Sequence, residues 1–171
     1  MKIISFRNDV LTLKNELFRL ALRITLNRAE AEDIVQETMM KVWTRRDKWS
    51  EIESIEAFCL TICRNLALDK TRKMDNQNER LDDHQETTAV HDTSNPEEQA
   101  VQRDRIQLIR RLLNQLPEKQ RSAMQLRDFE GKSYKEIAAI MNISEEQVKV
   151  NIFRARQAIK QQFFETEQYG L

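Results

Sequence analysis

The chain has 171 residues, enough for one domain or two small ones, with 33% charged residues but only two Gly and two Pro. Few chain breakers, with many Leu, Ala, Glu, Gln, Lys and Arg, favour helices over sheet. The zero net charge decides nothing about nucleic acid. No apolar run approaches the ~20 residues of a membrane span and no secretory leader is visible, so the chain is expected to be cytoplasmic, without membrane insertion of its own.

Along residues 8–27, Val10, Leu11, Leu13, Leu17, Leu20, Ala21, Ile24 and Leu26 form a helical stripe that Asn27 interrupts. The spacing predicts a second helix over 29–44, with Ile34, Val35, Met39, Val42 and Trp43 inward. A polar loop follows over 45–53 around Trp49. A third helix is predicted over 55–72, with Phe58, Ile62, Leu66 and Asp69 at helical spacing. Cys59 and Cys63 share one face of that helix with no His beside them, which reads as small apolar residues buried in a reducing compartment. His84 and His91 are too isolated for a metal site.

From Met74 to about Asn95 the periodicity fails. Residues 74–100 hold one basic and eight acidic residues, a net −7, between mildly basic ends of +3 (1–73) and +4 (101–171). Such a stretch cannot bury enough apolar surface to offset its ordering entropy, so a flexible acidic linker is expected. Pro96 opens a new helical run with Val101, Ile106, Ile109, Leu112, Leu113 and Leu116 on one side. Pro117 restarts the chain, a helix is predicted over 118–129, and Gly131 ends it.

The tail is the most informative stretch. Ser133 with Glu136 forms an S-x-x-E capping box and Ser144 with Gln147 an S-x-x-Q box. Met141, Asn142 and Ile143 stand between the two predicted helices, a spacing that gives a helix-turn-helix over 133–160. Ala138 falls where the helices cross, Asn142 where the turn needs positive φ, and Val148 where the second helix packs on the first. Val148, Ile152, Ala155 and Ile159 make a buried stripe. The other face offers Glu145, Gln147, Lys149, Asn151, Arg154 and Arg156, residue types that reach base edges in a major groove. Arg154, Arg156 and Lys160 also suit phosphates. Taken alone, this tail supports DNA binding, as in a stand-alone dimeric regulator. No Gly-rich phosphate loop, nucleophile triad or metal spacing is present, so no catalysis, metal or cofactor is expected.

The N-terminal half narrows the choice. AEDIVQETMMKVW (31–43) resembles the core-polymerase-binding segment of bacterial sigma factors. SIEAFCLTICRNLALDKTRK (54–73) resembles their melting and −10 recognition segments. LPEKQRSAMQLRDFEGKSYKEIAAIMNISEEQVKVNIFRARQAIKQ (116–161) resembles region 4, the −35 reader. The direct join of the two halves is similar to the small extracytoplasmic-function group. The resemblance implies an all-α fold of two small helical domains, region 2 over 1–73 and region 4 over 99–171, joined by the flexible acidic linker 74–98.

It further implies that Asp33, Gln36, Glu37, Met40 and Lys41 face core RNA polymerase. Leu60, Thr61 and Asn65 would line a pocket for a base flipped from the −10 element, with Arg64, Lys70, Arg72 and Lys73 on the melted strand. Lys149, Val150, Asn151, Phe153 and Arg154, with Glu145, Gln147 and Arg156, would face the −35 duplex. Promoter DNA, core polymerase and an anti-sigma antagonist are the partners implied. Val150 and Asn151 depart from the small-polar and Arg pair more usual in the family, so the −35 sequence read is expected to differ. Elements two duplex turns apart, at ~34–36 Å per turn, lie within the ~80–90 Å reach of about 25 extended residues.

Overall fold

The computed structural model describes residues 3–76 and 96–168. Among them every element is helical and none is a strand, as the composition requires. The first expected helix begins late. Ser5 caps a wide turn over Phe6–Val10, its hydroxyl accepting from Asn8 N at 3.4 Å, and a tight turn over Leu11–Leu13 leads into α1 (Lys14–Thr25). Leu26 closes α1 in the left-handed region (φ 56°), its N–H donating to the Leu22 carbonyl at 2.8 Å. Asn27 then caps α2 (Arg28–Thr44), its side-chain oxygen accepting from Glu30 N at 3.0 Å.

The expected loop around Trp49 is a 3₁₀ turn, Arg46–Glu51. The Trp49 indole donates to the Val42 carbonyl at 3.1 Å, which fastens the turn to the end of α2. Helix α3 runs Ile55–Asn76, four residues past its predicted end, and α4 spans Pro96–Asn114. The ends of the expected linker are therefore helical, and residues 77–95 lie outside the described residues. Helix α5 (Glu118–Met124) widens into a π-turn over Gln125–Phe129. Gly131 (φ 69°) then turns the chain into α6 (Tyr134–Met141) and α7 (Glu145–Gln168).

Helices α1, α2 and α3 pack as a three-helix body around Leu17, Leu20, Ile24, Ile34, Leu60 and Ala67, all buried. The second body has α5, α6 and α7 at its centre, with α4 laid on α7. Leu112, Leu113, Leu116, Met124, Ala155 and Ile159 form their own cluster there. Val101 and Ile106, expected inward, stay exposed because α4 outruns the surface beneath it.

The two bodies are also packed together. Leu126, Ile137 and Ile140 share one buried cluster with α1–α3, as α6 lies along α3 and α5 against α1. Buried polar groups cross this seam. Arg23 Nε donates to Gln125 Oε1 at 2.9 Å, and its Nη1 to Asn114 Oδ1 at 2.6 Å. Arg121 donates to the Arg23 and Ile24 carbonyls at 3.0 and 3.2 Å. Burial lowers the Arg121 pKa from its ordinary range, against the opposing charge of Glu118. Lys132 is 8% exposed and its ammonium pairs with Glu16 (2.8 Å) and Glu56. Arg19 makes a two-point contact with Glu130 at 2.5 and 2.8 Å, which raises the Arg19 pKa.

Candidate functional site

Three surfaces collect the residues singled out in the sequence. On α2, Asp33, Gln36, Glu37, Met40 and Lys41 are all exposed. Spacings of three and four put them on one face. Trp43, expected inward, is 47% exposed. It stands edge-on to Phe6 (5.3 Å between ring centres) and Trp49 (6.2 Å), and the Arg46 guanidinium covers its ring at 4.6 Å. Phe6, Met39, Met40 and Trp43 line an open apolar pocket of about 390 Å³ at the end of this face. Phe6 was not singled out from the sequence, and Trp43 was expected only as an inward position of the second helix. The adjacent Met39-Met40 and the Trp three residues on were the available signal, and Phe6 reaches them only through the turn that precedes α1.

On α3 the expected set separates. Asn65, Arg72 and Lys73 are exposed. Leu60 is 1% exposed and part of the core, so in this arrangement it offers no surface to a base. Thr61 is half-buried and its hydroxyl donates to the Ala57 carbonyl at 2.8 Å. Arg64 is buried, its Nη2 donating to both Glu118 carboxylate oxygens at 3.0 Å across the seam, so it is not free for a strand phosphate. Lys70 pairs with Glu30 (3.0 Å) and Asp33 (3.6 Å), which joins one residue expected on DNA to another expected on polymerase. Desolvation pulls the Lys70 pKa down, but those two carboxylates more than reverse it and the net shift is upward. Arg72 pairs with Asp69 one turn back on the exposed side.

On the tail the helix-turn-helix forms with Asn142 at φ 54° in the turn. Ile137, Ile140, Met141, Val148 and Ile152 of the motif are buried, in the cluster it shares with α1–α3. The second capping box is reciprocal: Gln147 N donates to Ser144 Oγ at 3.1 Å and Ser144 N to Gln147 Oε1 at 3.0 Å. The first is altered, since Ser133 Oγ accepts from Glu136 N (3.1 Å) but donates its own proton to Glu136 Oε1 (3.0 Å). Capping thus engages the Gln147 side-chain oxygen, one of the groups with which a Gln reads a base.

Arg156 is also engaged. Its guanidinium grips Asp128 at two points, 2.5 and 3.0 Å, a hydrogen bond that raises its pKa and ties α7 to the π-turn. Lys149, Val150, Phe153 and Arg154 remain exposed, as does Glu145, and Asn151 is half-buried with its amide donating to the Gln147 carbonyl at 2.8 Å. The Lys149 ammonium sits 5.5 Å from the centre of the Tyr134 ring, which Arg127 also covers at 4.4 Å. Cys59 and Cys63 are buried, and burial pushes both thiols up to about 12, so neither is a nucleophile near neutral pH. Among the described residues no group of His, Cys, Asp or Glu is placed to hold a metal ion.

Family models for sigma-70 region 2 and sigma-70 region 4 match residues 10–77 and 106–159. The chain is 32% identical over 145 residues to the ECF RNA polymerase sigma factor SigL of Mycobacterium tuberculosis, covering 84% of this chain and 80% of that one. The chain belongs to the sigma-70 family, in its extracytoplasmic-function group. The RNA polymerase sigma-H factor of Pseudomonas aeruginosa is 30% identical over 161 residues, 88% of this chain and 83% of that factor. Among solved structures, the Bartonella quintana sigma factor RpoE, in complex with the anti-sigma factor NepR, matches with a TM-score of 0.73 at 27% identity. That match covers 91% of this chain and 94% of the other. As a sigma factor the protein acts with core RNA polymerase to direct promoter-specific initiation, and as a family sigma factors are regulatory rather than catalytic. The region 2 match fills the half that a stand-alone regulator would need for sensing or dimerisation.

Proposed function

We propose that residues 1–73 form the polymerase-binding and −10 domain of this sigma factor, 99–171 its −35 domain, and that α2 presents the surface docked by core polymerase. The observation that carries the docking assignment is the open pocket of Phe6, Met39, Met40 and Trp43 beside Asp33, Gln36, Glu37 and Lys41. An apolar centre with a charged rim is the composition of a protein interface. Asn65, Arg72 and Lys73 then follow the melted −10 strand, and the first three turns of α7 read the −35 duplex. In this reading the protein catalyses nothing, needs no cofactor and works in the cytoplasm; among the described residues no helix is long and apolar enough to cross a membrane.

The test adds the purified chain to core polymerase and follows promoter-specific transcripts. Glu37→Ala with Met40→Ala, both on exposed positions, should weaken holoenzyme assembly by about tenfold or more while helicity is kept. Assembly at the parent's affinity would sink the assignment.

An anti-sigma antagonist is the further partner in this reading. Its support is the structural likeness to a sigma factor held by one, and the seam that keeps Arg64 on Glu118. A protein that binds the joined state better than the parted one shifts the population toward it. Its binding should slow hydrogen exchange of amides in α5 and α6 at the seam; unchanged exchange would count against it.

A further inference from the structure

The reading face of α7 carries two large apolar side chains that the fold does not use. The buried stripe of this helix is Val148, Ile152, Ala155 and Ile159. Val150 and Phe153 lie off that stripe, 45% and 63% exposed. They are three residues apart and therefore neighbours on the helix surface. Lys149 precedes the pair and Arg154 follows it, each four residues from one member, so the apolar pair is bracketed by cations. Glu145 and Glu146 close its N-terminal edge.

Phosphate binding asks for the cations and leaves the apolar pair without a purpose. A major groove offers one apolar feature, the C5-methyl of thymine; the other base-edge groups there are donors or acceptors. The flanking Lys149 and Arg154 are donors only and suit the O6 and N7 acceptors of guanine. Val150 and Phe153 are ~4.5 Å apart along the helix axis and adjacent around it, a separation that lets two side chains close on one methyl group from either side. The Lys149 ammonium is already held against Tyr134 of α6, on one side of the pair.

We infer that Val150 and Phe153 form an apolar clamp for a thymine methyl in the −35 element of this sigma factor's promoters, next to guanine read by the flanking cations. The inference rests on the reading of α7 as the −35 reader. It adds the base that the departure at Val150 selects, since a small polar residue there would give a methyl no apolar partner.

The experiment uses holoenzyme assembled from the full chain and core RNA polymerase. A promoter library randomised across the −35 element is transcribed and the active templates are sequenced. Each thymine of the selected element is then replaced by deoxyuridine, which keeps every hydrogen-bonding group and removes only the methyl. One such replacement is expected to lower initiation about fourfold, the worth of one buried methyl at ~0.8 kcal/mol. Val150→Ser, at an exposed helix position, should lower initiation on the thymine template to a similar degree and abolish the difference between thymine and uracil. A selected element without thymine, or initiation indifferent to uracil at every position, overturns the methyl contact. Transcripts that show no sequence selection across the randomised element overturn instead the prior assignment of α7 to −35 reading.

Discussion

The seam between the two bodies and the reading face of α7 are built from the same residue types and put them to opposite use. At the seam Arg23, Arg64 and Lys132 are buried, each held by acceptors on the other body. On α7, Lys149 and Arg154 point to solvent beside an exposed Val and Phe. Arg23, Arg64 and Arg154 each stand about three turns into a helix, and the sequence alone does not tell the two settings apart. What decides is whether a distant element brings acceptors, carboxylates for Arg64 and Lys132 and side-chain amide oxygens for Arg23, because a buried charge is tolerated only when it is paired or hydrogen-bonded. The seam therefore converts charge into fold, and the reading face keeps it for a partner.

Removing a seam cation should show the larger effect. Lys132→Ala leaves Glu16 and Glu56 facing each other with no cation between them. Breaking a fully buried pair costs ~3–5 kcal/mol, and the partial exposure of Glu56 reduces that to about 2–4 kcal/mol here. Urea unfolding followed by circular dichroism measures it; a change under ~1 kcal/mol would mean that the ammonium is solvated and the seam open in solution.

Arg64→Ala and Arg154→Ala test the contrast directly. Losing the two-oxygen contact to the half-buried Glu118 should cost about 1–3 kcal/mol of stability. The exposed Arg154 should change stability by less than ~0.5 kcal/mol but weaken binding to a −35 duplex by about 1–3 kcal/mol. Equal stability losses would erase the distinction between the two surfaces.

The same contrast explains what was legible in the sequence. The helix-turn-helix was readable because its determinants are local: Ser144 and Gln147 meet across three residues, and Asn142 needs no partner to take a positive φ. The all-α class followed from periodicity and the scarcity of Gly and Pro. The seam was not readable. Arg23 finds Gln125 from 102 positions away and Arg19 finds Glu130 from 111, separations that no periodicity encodes. Arg64 was thus expected on the melted strand from the resemblance of residues 54–73 to sigma segments, with nothing local to show its partner Glu118. Leu60 and Arg64 are both turned inward, one by the core of the first body and the other by the second body, which the sequence expected to hang from a linker. Trp43 was lost in the opposite direction, since helical spacing put it inward but Phe6 and Trp49 support it at the surface.

Arg156 lies between the two cases and gives the smallest effect. It was expected on phosphate, yet it grips Asp128 at two points while its side chain stays about half exposed. An exposed pair of this kind contributes under ~1 kcal/mol, so Arg156→Ala and Asp128→Ala should each shift stability only slightly, and the double variant should give a coupling below that value. The informative readout is DNA affinity against salt. If the guanidinium can exchange its carboxylate for a phosphate, Asp128→Ala removes the competitor. Binding then tightens at low salt and the slope of log affinity against log salt steepens by about one ion. An unchanged slope would place Arg156 with the seam cations, as a residue whose charge is spent within the fold, and would leave Lys149 and Arg154 as the cations that the recognition helix presents to DNA.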